Sequence, residues 1–207
     1  MALEEVDLTI DETQPLPHDI ARLLEDADQR IDRFMRSRQN DRPIASFVPC
    51  DFVMVYRALD AMLNLRAAPG EAFCEWGAGF GVVAGLAEKL GLSASGIEIH
   101  RDLVDQAREL LDDHGVAAEI AHGSLIPDDG DELVDELSQQ AWLRTGEASG
   151  YDELGVEVDD FDIIFAFPWP GDEALIDALF EKYAAVGALL LTYHGMNDIR
   201  LQRKTHD

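Results

Sequence analysis

The stretch Phe73-Cys74-Glu75-Trp76-Gly77-Ala78-Gly79-Phe80-Gly81-Val82-Val83-Ala84 decides the fold. An apolar run with an acid near its end breaks into three alternating glycines and then resumes with helical spacing. That pattern reads as a strand, a tight turn and a helix start. With no side chains at positions 77, 79 and 81, the backbone can approach a ligand closely, and its N–H groups face that ligand at the positive end of the following helix. A dinucleotide-binding loop asks for G-x-G-x-x-G or A, and Gly79-Phe80-Gly81-Val82-Val83-Ala84 satisfies it.

Downstream, the helix carrying Val82, Val83, Leu86, Ala87 and Leu90 ends at Gly91, and Ala94-Ser95-Gly96-Ile97-Glu98-Ile99 reads as a second strand ending in an acid. Glu98 lies 19 residues beyond Gly79. Nucleotide-binding folds place a ribose-binding carboxylate at about that distance, roughly 20 residues on. Leu103, Val104, Ala107, Leu110 and Leu111 mark the next helix, closed by His114-Gly115, and residues 117–121 a third strand that runs into His122-Gly123-Ser124. Residues 127–160 combine an acidic helix (Leu133, Val134, Leu137, Ala141, Trp142) with a glycine-containing linker, expected as a surface helix and a mobile loop or lid. Phe161-Asp162-Ile163-Ile164-Phe165-Ala166-Phe167 is a buried strand meeting Pro168-Trp169-Pro170, after which Asp172 is placed to cap a helix. Gly187-Ala188-Leu189-Leu190-Leu191-Thr192-Tyr193-His194 is a fifth strand.

Upstream, residues 1–17 read as a flexible acidic arm ending in Pro15-Leu16-Pro17. Residues 18–65 hold N-terminal helices. The first has Ile20, Leu23, Leu24, Ala27, Ile31, Phe34 and Met35 on one face and Arg33, Arg36 and Arg38 near its end, suited to a helix C-terminus or to touching an acidic partner. The second has Asp51 as its expected cap. Residues 66–207 then form the sheet domain.

Glu75-Trp76-Gly77-Ala78-Gly79-Phe80-Gly81 resembles the (D/E)-x-G-x-G-x-G signature of class I S-adenosylmethionine-dependent methyltransferases, whose loop wraps the cofactor's methionine part. The resemblance covers roughly residues 46–192. It implies an α/β fold, a doubly wound and mostly parallel sheet in three α/β/α layers, here a minimal version with a curtailed C-terminal hairpin. The implied cofactor is S-adenosyl-L-methionine, held by Glu75, Gly77, Ala78, Gly79, Gly81, Glu98, Ile99 and Ser124, with Glu98 on the ribose and Ser124 near the adenine. A cationic cofactor tolerates the Glu75 carboxylate, whereas a pyrophosphate would be repelled by it. The linker with Ser46 and Phe47 stands where the family closes over the cofactor.

The same resemblance places Phe167, Pro168 and Trp169 on the rim that borders the methyl acceptor. DNA and glutamine amino-methyltransferases carry (Asn/Asp/Ser)-Pro-Pro-aromatic there, and Phe167 lacks the polar group that would hold a planar amide. An apolar, aromatic rim suits a desolvated amine whose methylene stem slides along Trp169 or Phe167. The helix ahead of the glycine strand, Gly96-Ile97-Glu98-Ile99, the aromatic-proline segment and the missing hairpin loosely resemble the non-SET lysine methyltransferases. Glu173, Tyr193 and His194 are placed to help an amine lose its proton, and Asp172 and Glu173 to orient a cation; none is singled out as a base.

Composition bounds the partners. Against 16 Lys and Arg stand 42 Asp and Glu, a formal net charge of -26 over 207 residues. Such a surface repels phosphates, so a nucleic-acid acceptor would need a local basic patch. The acids are spread along the whole chain, which favours a solvating role. Cys50 and Cys74 sit in apolar neighbourhoods and read as buried free thiols. No leader or membrane-spanning run is visible, so a cytoplasmic protein is expected, and His18, His100, His114, His122, His194 and His206 lack metal-ligand spacing. Two other functions remain open: a non-catalytic binding protein on a degenerate methyltransferase fold, and an NAD-binding oxidoreductase. The latter is disfavoured by Glu75 and by the absence of a following catalytic domain.

Overall fold

The computed structural model describes residues 2–38, 47–137, 148–196 and 198–206. The glycine stretch leaves a parallel strand, β2 (Ala72–Trp76), and starts helix α3 (Val82–Lys89). Ahead of them come β1 (Leu3–Glu5), α1 (His18–Ser37) and α2 (Phe52–Leu65). After them come β3 (Ser93–Glu98), α4 (Arg101–Asp113), β4 (Glu119–His122), α5 (Asp131–Leu137) and α6 (Gly150–Leu154). The chain closes with β5 (Ile163–Ala166), α7 (Glu173–Tyr183), β6 (Leu189–Tyr193) and β7 (Ile199–Lys204).

The strands form one sheet in the order β1-β7-β6-β5-β2-β3-β4, parallel from β6 to β4, with β7 antiparallel to β6. β5 and β6 are apolar almost throughout because both their faces are covered. Alternation along β2 sorts its side chains: Phe73 joins the core under α1 to α4, and Cys74 and Trp76 join the core under α5 to α7. The three-layer α/β/α arrangement follows, and α1 and α2 share their core with the sheet rather than standing apart from it.

Local signals behave as read. The Asp51 carboxylate accepts from the Met54 N–H at 3.0 Å and caps α2. The basic end of α1 is engaged within the chain, since Arg36 pairs with Asp32 while Arg38 pairs with Asp102 and lies over the Phe34 ring. Ser46, Ala141 and Trp142 lie outside the described residues.

The acidic start is the main correction. Residues 3–5 are not a loose arm but an edge strand, with Leu3 opposite Lys204, Glu4 opposite Arg203 and Glu5 opposite Gln202. Ala2 is buried, Val6, Leu8, Ile10 and Leu16 pack on the core, and Arg57 Nη2 donates to the Gln14 carbonyl at 2.9 Å. The cause is the C-terminal strand: without a neighbour β7 would be an edge with unpaired backbone groups, and β1 pairs with them. The curtailed hairpin is thereby completed from the other end of the chain. Deleting residues 2–10 should lower stability by on the order of 3 kcal/mol. It should also make the protein self-associate through the exposed β7 edge, as read by a lower urea midpoint and concentration-dependent light scattering.

Helix α1 is tied to α4 by a small charged cluster in which Asp26 meets Arg30 and the His114 ring, both at 3.0 Å. The Arg30 hydrogen bond first, and then His114, hold the Asp26 carboxyl below its ordinary value. The folded protein therefore takes up this proton at lower pH than the unfolded chain, so the stabilisation is complete above the normal carboxylate range and fades as pH falls through it. Asp26→Asn should cost on the order of 1 kcal/mol at pH 7 and progressively less as pH falls below the ordinary carboxylate range, measured by urea unfolding across a pH series.

Candidate functional site

β2 delivers the glycine stretch to the C-terminal edge of the sheet. The Gly77 and Ala78 N–H groups both donate to the Ile97 carbonyl at 2.9 Å, which fastens the turn to the tip of β3. Gly79 has φ +55°, a conformation L side chains rarely adopt, and a Cβ there would stand 2.7 Å from a Phe47 ring carbon. Gly77 opens on free space, with nothing within 4 Å of where its Cβ would be.

Gly81 departs from the sequence reading. It sits at the N-cap of α3 with φ +66°, and a Cβ would meet Ile120, Ala107 and Leu111 at 3.1 to 3.3 Å. It does not line the cleft, and what requires glycine there is helix-to-sheet packing. The spacing alone does not separate that need from ligand approach.

Two carboxylates are positioned by backbone. Glu75 is buried and accepts from the Ala84 N–H at 2.8 Å, in the first turn of α3. Burial, reinforced by the nearby Glu98 and opposed by that hydrogen bond, pushes its carboxyl well above the usual range. Glu75 thus ties the start of α3 to β2 and also forms part of the cleft wall. Glu98 accepts from Gly79 N–H at 2.9 Å through Oε2 and from His100 N–H at 2.8 Å through Oε1. Its carboxylate is fixed at the tip of β3, with lone pairs to spare for further donors.

These residues border one cleft of about 370 Å³, within the range of small-molecule sites. It lies beyond the C-terminal ends of the parallel strands, where the strand order reverses between β2 and β5. Glu75, Gly77, Ala78 and Gly79 enter it from β2, Glu98 and Ile99 from β3, Ser124 from the segment after β4, and Phe167, Pro168 and Trp169 from that after β5. Apart from Gly81, then, the structure brings the sequence-derived cofactor and rim candidates to one place. Ser124 is buried, and its Oγ accepts from the Ile126 N–H at 3.0 Å. His122 is a prop between strand tips, its ring on the Ile99 carbonyl at 3.1 Å.

At the other end of the cleft, the Phe167 ring meets Tyr193 edge-on at 5.0 Å. Tyr193 itself does not line the cleft; His194 and Glu173 do. His194 Nε2 is 2.8 Å from Thr192 Oγ1, and burial first, then Arg200, holds its pKa below the ordinary value. Asp172 corrects another expectation. It occupies the N-cap position of α7, yet its side chain accepts no capping hydrogen bond, and only 3% of the residue is exposed. Burial, and then Glu173 beside it, raises its carboxyl.

The sequence reading also missed part of the wall. Val48, Pro49, Cys50 and Phe52 line the cleft together with Phe47. The available signal was the Pro49 break just before the Asp51 cap, which fixes where this linker enters α2. Cys50 is half-buried on the cleft wall rather than in the core, with its thiol pushed up by burial, whereas Cys74 is fully buried. Among the described residues lining the cleft there is no Lys or Arg.

No protein-family model matches the chain, and a search of curated proteins returns no match. Solved structures do match. An RNA methyltransferase from Salinibacter ruber in complex with S-adenosyl-L-homocysteine aligns with a TM-score of 0.50 and 15% identity, over 72% of this chain and 91% of that one. A hypothetical protein from Thermus thermophilus aligns with 0.51 and 18%, over 79% and 90%. A candidate O-methyltransferase from Klebsiella pneumoniae aligns with 0.50 and 14%, over 87% and 66%. The chain has the class I methyltransferase-like fold.

Proposed function

We propose that the protein is an S-adenosylmethionine-dependent methyltransferase whose acceptor is an amine, either a protein lysine or a smaller molecule. The observation that carries this reading is Glu98: a buried carboxylate at the tip of β3, aimed by the N–H groups of Gly79 and His100, beside a glycine loop open to the cleft. That arrangement suits a ribose diol, with Glu98 accepting from its hydroxyls, Ile99 and Ser124 bordering the base, and residues 77–79 backing the methionine part. Bound there, the cofactor supplies an electrophilic methyl on a sulfonium.

The charge pattern supports the same choice. Among the described residues, Glu75, Glu98, Asp172 and Glu173 border the cleft and no Lys or Arg does, which favours a cationic ligand over a dinucleotide's two phosphates. The protein's own contribution is then orientation and exclusion of water: Phe47 lies over the loop, and Phe167 and Trp169 form a rim for an alkyl amine. His194, its pKa held below the ordinary value by burial first and then by Arg200, is placed to accept the proton the amine sheds.

The test is calorimetric titration with S-adenosylhomocysteine beside NAD, followed by labelled methyl transfer to lysine peptides and small amines. Saturable binding of the homocysteine compound alone, with transfer, is the expected result. Binding of NAD instead would overturn the cofactor assignment, and binding without transfer to any acceptor would leave a non-catalytic binding protein.

A further inference from the structure

We propose that Asp172 is the acceptor-recognising residue of the cleft, pairing with the ammonium group of the acceptor; this rests on the methyltransferase reading and deepens it. Among the described residues four carboxylates border the cleft, and three are satisfied by backbone N–H groups: Glu75 by Ala84, Glu98 by Gly79 and His100, and Glu173 by Gly171 at 2.7 Å. Asp172 is the exception. It stands at 3% exposure, its backbone N–H and C=O are used by Trp169, Leu175 and Ile176, and among the described residues its carboxylate has no hydrogen-bond partner.

Although the residue as a whole is buried, its carboxylate oxygens are not sealed from solvent, so at the cleft wall their acceptor capacity is open to a ligand. The complement of that group is a cation with N–H donors. Beside it, Phe167 and Trp169 offer apolar walls for a methylene stem and ring faces for the charge. Among the described residues this end of the cleft holds no Lys or Arg, and burial and then Arg200 hold the His194 pKa below its ordinary value. An ammonium on an alkyl chain fits all of these, and an uncharged alkyl group of equal length fits the walls alone.

The experiment compares Nα-acetyl-lysine methylamide with its uncharged counterpart, Nα-acetyl-norleucine methylamide, on the S-adenosylhomocysteine-saturated protein by saturation-transfer NMR. The parent should bind the lysine compound at least about tenfold more tightly than the norleucine compound. Asp172→Asn should abolish that preference while leaving S-adenosylhomocysteine affinity and melting temperature no lower than in the parent, and Asp172→Glu should retain part of it. Equal binding of the two compounds by the saturated parent overturns this inference alone. Weakened S-adenosylhomocysteine binding in Asp172→Asn overturns it by assigning the residue to the cofactor, and a fall in melting temperature with preference lost in both variants overturns it by assigning a structural role. Failure of the parent to bind S-adenosylhomocysteine at all removes the cofactor reading and this inference with it.

Discussion

Gly79→Arg is expected to lower affinity for S-adenosylhomocysteine by at least about a hundredfold, equivalent to roughly 2.8 kcal/mol, with the circular dichroism spectrum unchanged. The substitution acts in two ways. At φ +55° any side chain adds on the order of 1–2 kcal/mol of backbone strain. More important, the new Cβ starts 2.7 Å from the Phe47 ring, so the side chain must displace Phe47 or run into the cleft. Gly91→Arg separates these effects, because Gly91 has φ +93° but nothing within 4 Å of its Cβ position and no place in the cleft wall. Equal affinity in parent and Gly79→Arg would mean that the cofactor does not lie over the loop.

Phe80→Ala should cost about 3–5 kcal/mol of stability and also weaken S-adenosylhomocysteine binding. Phe80 is 1% exposed and joins three pieces of chain: its ring meets Phe34 of α1 edge-on at 5.4 Å and Phe47 of the linker at 5.5 Å. Removing it leaves a cavity directly behind the residue that lies over Gly79. Urea unfolding reads the first effect and calorimetry the second. Leu110→Ala, fully buried in α4, is the comparison: it should cost about 2–5 kcal/mol and leave affinity unchanged. If both variants lose affinity in proportion to stability, Phe47 is not held in place by Phe80.

The glycine stretch, the strand-helix alternation and the Asp51 cap were legible because each depends on a few neighbouring residues. The position of Glu98 was legible too, since the loop and the tip of β3 are separated by one helix of predictable length. Asp172 shows the limit of such reading. An Asp ahead of a helix is ordinarily its cap, and nothing within four residues of it indicates a carboxylate left without a donor at a cleft. Gly81 shows the same limit from the other side, because its neighbours Ile120, Ala107 and Leu111 arrive from β4 and α4. Cys50 looked like a core thiol from its apolar surroundings, and only the path of the linker put it on the cleft wall.

By itself the sequence determined the α/β layering, the glycine turn at the end of a buried strand and the acid at the tip of the next. These follow from side-chain periodicity and backbone sterics that act over a few residues. Only the tertiary structure decided which strand closes the sheet, because Leu3 finds Lys204 across nearly the whole chain and no local pattern encodes that partner. It likewise decided which of the cleft carboxylates has no partner among the described residues, since a carboxylate's state depends on the donors that other strands and loops bring to it.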